Sequence, residues 1–425
     1  MKAVVATNDE RIGSAPWLAY KWELIVLLWL AFFLNQADRQ IYNVVLPLIK
    51  ADLGLSDVQL GLVASVFTWC LGLLVPFAGY AGDVMRRKWI IVLSLLTWSA
   101  ATLLTGGSGG LTALVLLRGT TAVGEAFYSP SAHSLMGQYH RETRAQAMAI
   151  HQTSLYAGVI TSGFLAAWIG ERYGWRTAFY LFGGLGVLLA SVAIRRLQDT
   201  APPKDEGQAE ERITLVTGIK VIFEKPTAVM NCLGFAGMIF VNIGFLTWMP
   251  TFLRERFSLS LAQAGFDSMF YHHAAAFAGV LLGGKLSDVW ARRRISARLL
   301  LQCGGLLLGA PFIYVMGASG SLILTYAALA GFGIGRGIYD ANHYPGLFDV
   351  IAPKYRSSAA GIMIAFGFLT GAFAPLILGW MKSRVGLSVG LSLLAGVYLL
   401  SAGIVFIAVK TTLPKDYYRE GAQKA

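Results

Sequence analysis

GYAGDVMRRK, residues 79–88, returns in the second half of the chain as GKLSDVWARR, residues 284–293. Both stretches carry a glycine, an aspartate four positions on, and basic residues eight and nine positions on from the glycine. Other matches lie on either side. PLIKADLGLSDVQLGLVASVF (47–67) aligns without a gap to PTFLRERFSLSLAQAGFDSMF (250–270), GEAFY (124–128) to GRGIY (335–339), and Arg144 to Arg356. The offset drifts only from 203 to 212 across these matches, so one duplicated unit explains them all.

The 425 residues are 56% hydrophobic and 14% charged, and the mean hydropathy is +0.58. That leaves too little polar surface for a water-soluble domain. Apolar stretches long enough to cross a hydrocarbon core of about 30 Å recur along the whole chain. They predict twelve spans, at 23–48, 58–81, 89–106, 110–136, 145–169, 177–195, 227–252, 262–284, 297–316, 320–348, 357–380 and 387–409. Backbone polar groups find no partner in lipid, so spanning segments are helices or closed barrels. The period-two alternation of barrel strands is absent. The expected fold is an all-α membrane protein, twelve transmembrane helices in two pseudo-symmetric six-helix bundles.

The longest polar interval, 196–226, contains LQDTAPPKDEGQAEER and reads as a cytosolic linker. It separates a first bundle (23–195) from a second (227–409), with cytosolic tails at 1–22 and 410–425. The N-terminus lacks the apolar core and cleavage site of a signal peptide. With both termini cytosolic, 25 of the 35 Lys and Arg residues fall on the cytosolic side and seven on the other. That asymmetry follows the positive-inside rule, so the net charge of +12 reports orientation and not a nucleic-acid partner. Cys70, Cys232 and Cys303 lie in apolar segments without paired spacing, against a zinc site or a disulfide framework.

Internal repeats of helical bundles are a recurring design of secondary transporters, with the site between the halves at mid-depth. The GxxxD…R[RK] pattern between spans 2 and 3, echoed between spans 8 and 9, resembles the signature loop of the major facilitator superfamily, and the layout of that fold covers the whole chain. The family loop usually has a basic residue after the aspartate and a glycine at the eighth position; here Val84 and Arg86 stand there. NQADRQIYNVVLPLI, RGTTAVGEAFYSP and FLTWMPTFLRERFSLSLAQAGF are similar to the anion:cation symporters that import sugar acids and related carboxylates. The R-G-x4-G-E-A-x-Y pattern and the Asp-Arg pair of span 1 also resemble the Spinster lysolipid transporters. The resemblance implies alternating-access transport, a monomer, a small anionic substrate and a coupling ion, a proton before sodium, in a bacterial inner membrane.

Arg39, Arg118 and Arg336 fall inside spans, as do Asp38, Glu125 and Asp340. An ionised side chain at the bilayer centre costs about 2.5–3.5 kcal/mol, so each needs a partner and a purpose. Arg118 and Glu125 are seven apart on one helix face, about 10 Å along the axis, able to line one cavity but not to pair routinely. Asp38 and Arg39 are adjacent, point about 100° apart, and each needs a neighbour from another helix. Where the first half has Glu125 the second has Arg336, followed on the same face by Asp340 and His343.

Guanidinium forks suit a carboxylate or phosphate, and Glu125 is the titratable group beside them. These residues predict that protonating Glu125 frees Arg118 for an anion, with Asp38 as a second proton site. The resemblance implies the same roles for the helix 4 glutamate and the arginines of helices 1 and 4. The other reading is a static charge network joining helices 1, 4 and 10. Tyr42, Tyr128, Gln152, Asn242, Trp248 and Tyr339 have the polarity of pocket walls, though interhelical hydrogen bonds would use them equally well. Among the histidines, His343 is the candidate for function, and His133, His151, His272 and His273 are read as packing or interfacial residues.

Gly79, Asp83, Arg87, Gly284, Asp288 and Arg292 in the signature loops, with Arg144 and Arg356 at the starts of spans 5 and 11, are expected to gate. The resemblance implies that each aspartate sits near the opposite half's helix start, where the helix dipole favours an anion. An enzyme is excluded on motifs: HExxH, GxSxG, a phosphate loop and a metal-holding carboxylate cluster are all absent, and no cofactor is expected. Span 5 lacks the glycine-proline pattern that looks characteristic of drug/proton antiporters, and the short linker and tails leave no room for a sensor domain.

Overall fold

The computed structural model describes residues 20–140, 143–198 and 215–418, apart from the side chains of 79–84, 145 and 215–216. Among the described residues there is no strand. The first half comprises α1 (Tyr20–Leu53), α2 (Asp57–Val84), α3 (Arg87–Thr105), α4 (Leu111–Ala126), α5 (Tyr128–Tyr139), α6 (Arg144–Tyr173) and α7 (Trp175–Arg196). A nine-residue helix, α8 (Leu215–Phe223), lies within the interval read as linker. The second half follows as α9 (Pro226–Phe257), α10 (Leu261–Ala291), α11 (Ala297–Ala318), α12 (Leu322–Asp340), α13 (His343–Phe348), α14 (Arg356–Gly371), α15 (Phe373–Arg384) and α16 (Leu387–Thr411), with a last turn α17 (Leu413–Asp416).

Helix occupies each of the twelve predicted spans, and ten of the helical segments are long and apolar enough to cross a membrane. The two that fall short on composition, α4–α5 and α10, carry Arg118 and Glu125, and Asp267 with two histidines. Three spans expected to be continuous are broken. α4 gives way to α5 at Phe127, α12 to α13 at Ala341 and Asn342, and α14 to α15 at Ala372. Each break precedes a proline, Pro130, Pro345 or Pro375, whose ring collides with the carbonyl four residues back and which has no N–H to donate. Proline alone does not decide it, since Pro47, Pro250 and Pro311 lie inside helices that run on.

The duplication shows in the turns. Gly54 and Ser258, one position apart in the alignment of the halves, are left-handed at φ 61° and 55°, and Gly174 and Gly386, which correspond at the offset of 212, have φ 87° and 88°. Within each half small residues let helices approach closely, as packing in lipid requires. Gly305 and Gly335 face each other's carbonyls, where a Cβ on either would come within 2.6 Å.

The halves meet along α2 with α14 and α15, α6 with α10, and α1 with α9. The tightest approaches gather at the end holding the α1–α2, α6–α7, α9–α10 and α15–α16 turns. A Cβ on Gly265 would stand 2.1 Å from the Gly163 carbonyl oxygen, one on Gly61 2.4 Å from that of Pro375, and one on Gly379 2.4 Å from that of Asp57. Lys382 bridges Asp57 (3.3 Å) and Glu255 (2.7 Å), Lys50 also holds Asp57 (2.7 Å), and Glu171 accepts from the Leu261 amide (2.6 Å). At the opposite end Gly284 looks onto open space, and Asp288 and Arg292 are exposed. Among the described residues the cross-half contacts above gather at the first end, here called the shut end, and none of them lies at the other, the open end.

Candidate functional site

Helix α1 places Asp38 and Arg39 at mid-depth, where their side chains diverge to different neighbours. Arg39 reaches α4 and donates through Nε to Glu125 Oε2 at 2.5 Å; its side chain is 30% exposed and that of Glu125 is 0% exposed. The carboxylate is thus sealed behind a guanidinium that itself faces space. Glu125 sits one residue before the end of α4, and Oε1 has no hydrogen-bond partner among the described residues. Asp38 is buried, and its Oδ2 accepts from the Thr102 hydroxyl at 3.1 Å.

As the seven-residue spacing predicts, Arg118 makes no direct pair with Glu125 among the described residues. Its guanidinium is enclosed by the rings of Phe67 (4.4 Å) and Tyr42 (5.1 Å) and donates to the Asp38 backbone carbonyl at 3.2 Å. The two-turn separation along α4 leaves Glu125 to the arginine of the neighbouring helix, and aromatic faces supply part of the compensation a buried cation needs. The guanidinium paired with Glu125 is therefore that of Arg39 and not that of Arg118.

In the second half Arg336 on α12 donates to Asn242 Oδ1 of α9, lies 3.2 Å from His272 Nε2 of α10, and pairs with Asp340 Oδ2 at 3.3 Å. This cluster brings together Arg336, Asp340 and Asn242 as expected candidates, and adds His272, which the sequence reading assigned to packing. In an apolar pattern His272 gave no signal of its own; its neighbour in sequence, His273, donates through Nδ1 to the Met269 carbonyl at 2.8 Å. His343 stacks on Phe235 (5.2 Å) and lies tilted against Tyr344 (4.0 Å) at the start of α13, beyond the helix break.

Several expected pocket walls are occupied elsewhere. The Tyr42 hydroxyl donates to the Leu60 carbonyl (2.8 Å) and that of Tyr128 to the Leu28 carbonyl (2.7 Å), both inside the first half. Trp248 is buried at the shut end, its indole N–H on the Pro375 carbonyl (2.9 Å) and Lys382 over its ring. Tyr339 is buried, whereas Gln152 is exposed on α6. Among the gating candidates, the side chains of Gly79 and Asp83 lie outside those described. Arg87 is buried, Arg144 is exposed at the start of α6, and Arg356 donates to the Phe348 carbonyl (3.1 Å) within its own half.

The sequence reading also missed what joins the halves: the Lys382–Asp57–Glu255 cluster, Glu171, the Trp69 indole on the Leu369 carbonyl (3.2 Å), and the Gln40 amide on the Met269 sulfur (3.2 Å). These are single polar residues near helix ends or in apolar runs, and their pairing depends on contacts between the halves. Asp267, buried in α10, accepts from the Tyr326 hydroxyl and borders an apolar groove of about 610 Å³ between α6 and α10, flanked by Phe164, Leu165 and Phe266. Among the described residues no group of acidic, histidine and cysteine side chains is placed to hold a metal ion.

Comparison with known proteins agrees with this architecture. The chain is 25% identical to a protein of Escherichia coli (strain K12) named "Probable galactarate/D-glucarate transporter GudP", covering 96% of each. It is 26% identical to the D-galactonate transporter of Escherichia coli O6:H1, over 89% of this chain and 93% of that one. It is also 26% identical to spinster homolog 1 of Xenopus tropicalis, over 85% and 73%. Among solved structures, a bacterial homologue of the human lysosomal transporter Spinster, inward-facing and unoccupied, superposes with a TM-score of 0.83 at 22% identity, covering 96% of this chain and 100% of that one. Such relatives are membrane transporters and not enzymes. A family model described as Major Facilitator Superfamily matches residues 28–347, and the chain, a multi-pass membrane transporter, belongs to that family.

Proposed function

We propose that the protein is a proton-coupled symporter of a small organic anion, a sugar acid, working by alternating access as a monomer in a bacterial inner membrane with both termini cytosolic. The observation that carries this reading is the Arg39–Glu125 pair: a fully buried carboxylate held by a half-open guanidinium. A substrate carboxylate and the Glu125 carboxylate compete for the same fork. Protonating Glu125 removes one competitor, so proton binding and anion binding favour each other, and by linkage each strengthens the other equally. Arg336, held by the neutral acceptor of Asn242 and by Asp340, offers a second fork in the opposite half.

With the termini cytosolic, the shut end is the outer one, and the conformation is inward-facing. The galactarate/D-glucarate and D-galactonate transporters among the relatives support a sugar acid as substrate. A monoanion carried with one proton moves no net charge. A second proton makes the cycle voltage-driven, and one charge moved through 100 mV is worth about 2.3 kcal/mol, or about 50-fold accumulation. Asp38 is the candidate for that proton in the first half.

A second reading, transport of a lysolipid or another amphiphile, is favoured by the spinster relative and by the apolar groove between α6 and α10. Uptake into proteoliposomes under an imposed pH gradient decides between them, with radiolabelled D-glucarate, D-galactonate and a lysophospholipid as substrates. The expected result is sugar-acid accumulation that a protonophore collapses and that Glu125→Gln abolishes. Lysophospholipid movement without sugar-acid uptake, or gradient-driven uptake unchanged in Glu125→Gln, overturns the reading.

A further inference from the structure

His272 is fully buried on α10, yet its ring is not simply packed. Nε2 lies 3.2 Å from Arg336 Nη1, while Phe245 and Phe332 cover the ring at 4.6 and 4.4 Å between centroids. A guanidinium only donates, so Nε2 accepts, and the imidazole is neutral with its proton on Nδ1. Other titratable and charged groups surround it. His273 on α10 meets it edge-on at 5.1 Å, and Tyr156 of α6 lies beyond His273. Helix α12 contributes Arg336 and, paired to it, Asp340; α9 presents Asn242, and Tyr398 of α16 lies behind Phe332.

We propose that His272 is a further proton-binding site, in the second half, coupled to the release of Arg336 toward an anion between the halves. A proton on Nε2 deletes the acceptor and sets two cations at hydrogen-bonding distance inside the protein. Arg336 then leaves the ring. It is the mobile partner, since its side chain is 18% exposed and that of its salt-bridge partner Asp340 is 26% exposed, whereas the imidazole is enclosed. An anion that draws Arg336 away frees Nε2 for a proton, so the two events are reciprocal. The logic complements that of the first half: there a carboxylate loses its charge and lets Arg39 go, and here an imidazole gains a charge and repels Arg336. Both steps bring a proton in and expose a guanidinium.

This inference rests on the proposed symport of an anion with protons, and the test separates the two. Calorimetry of D-glucarate binding to the purified full-length protein, in buffers of different ionisation enthalpy, counts protons taken up per anion bound. Wild type, His272→Gln and Glu125→Gln are compared; glutamine keeps an acceptor for Arg336 but cannot titrate. His272→Gln is expected to take up one proton fewer than wild type, with a matching loss of one tenfold step in affinity per pH unit. A proton count equal to wild type in His272→Gln, with the loss confined to Glu125→Gln, overturns the proposal and leaves the Glu125 reading standing. The converse pattern overturns the Glu125 reading alone. Infrared difference spectra of the wild type supply a readout independent of variant folding: a histidinium band appearing on D-glucarate addition supports the proposal, and its absence overturns it.

Discussion

The two ends of the molecule are built from corresponding helices, yet they hold together very differently. At the shut end backbone meets backbone across the halves through Gly61, Gly163, Gly265 and Gly379, and Lys382 and Glu171 add charged hydrogen bonds around them. At the open end Gly284 of the signature loop has nothing within 4 Å of where a Cβ would stand. Alternating access requires the first set of contacts to break while another forms. Under the proposed cycle these glycines and ion pairs hold the present state at one end, and the proposed substrate and proton sites lie between the two.

The strongest way to break this comparison is to put a side chain into the glycine seam. Gly265→Val meets the Gly163 carbonyl, and overpacking of this kind costs about 1–3 kcal/mol. That shifts the balance between the two states about 5- to 150-fold toward the one open at the other end. Spin-label distances between the α1–α2 and α9–α10 turns should lengthen, and unchanged distances would deny the seam its role. Lys382→Met comes next. It leaves Glu255 unpaired and Asp57 with Lys50 alone, a loss of about 1.5 kcal/mol, which the same distances should report as a tenfold shift.

Glu171→Gln removes the charge from a hydrogen bond to the first amides of α10, worth about 0.5 kcal/mol at a helix N-terminus and weaker in high salt. Transport rate measured against ionic strength would detect it as a loss of salt sensitivity. The smallest effect is expected at the open end, where Gly284→Ala changes the stability of this conformation by no more than about 0.5 kcal/mol. A larger loss in thermal unfolding would mean that the open end is more tightly packed than its geometry indicates.

The arginines and carboxylates of the site were legible because charge in lipid is costly, and any such residue in an apolar run stands out. Their pairing was not. Seven residues of spacing on α4 put Arg118 and Glu125 on one face, but Arg39 on α1 takes the carboxylate, because pairing follows distance between helices and not along one. His272 was hidden for the same reason: a histidine in an apolar pattern looks like packing until the arginine of another helix is found against it. Trp248, read as a pocket wall, belongs to the shut end.

By itself the sequence determined the all-helical character, the division into related halves and the identity of the intramembrane charges. Each of these follows from local composition and from the twofold recurrence of motifs, which are one-dimensional properties of the chain. Which guanidinium meets which carboxylate, where prolines break helices and which end is shut were decided only in the tertiary structure. Such choices depend on how close two helices come, and in lipid that distance is set by small residues on both partners at once.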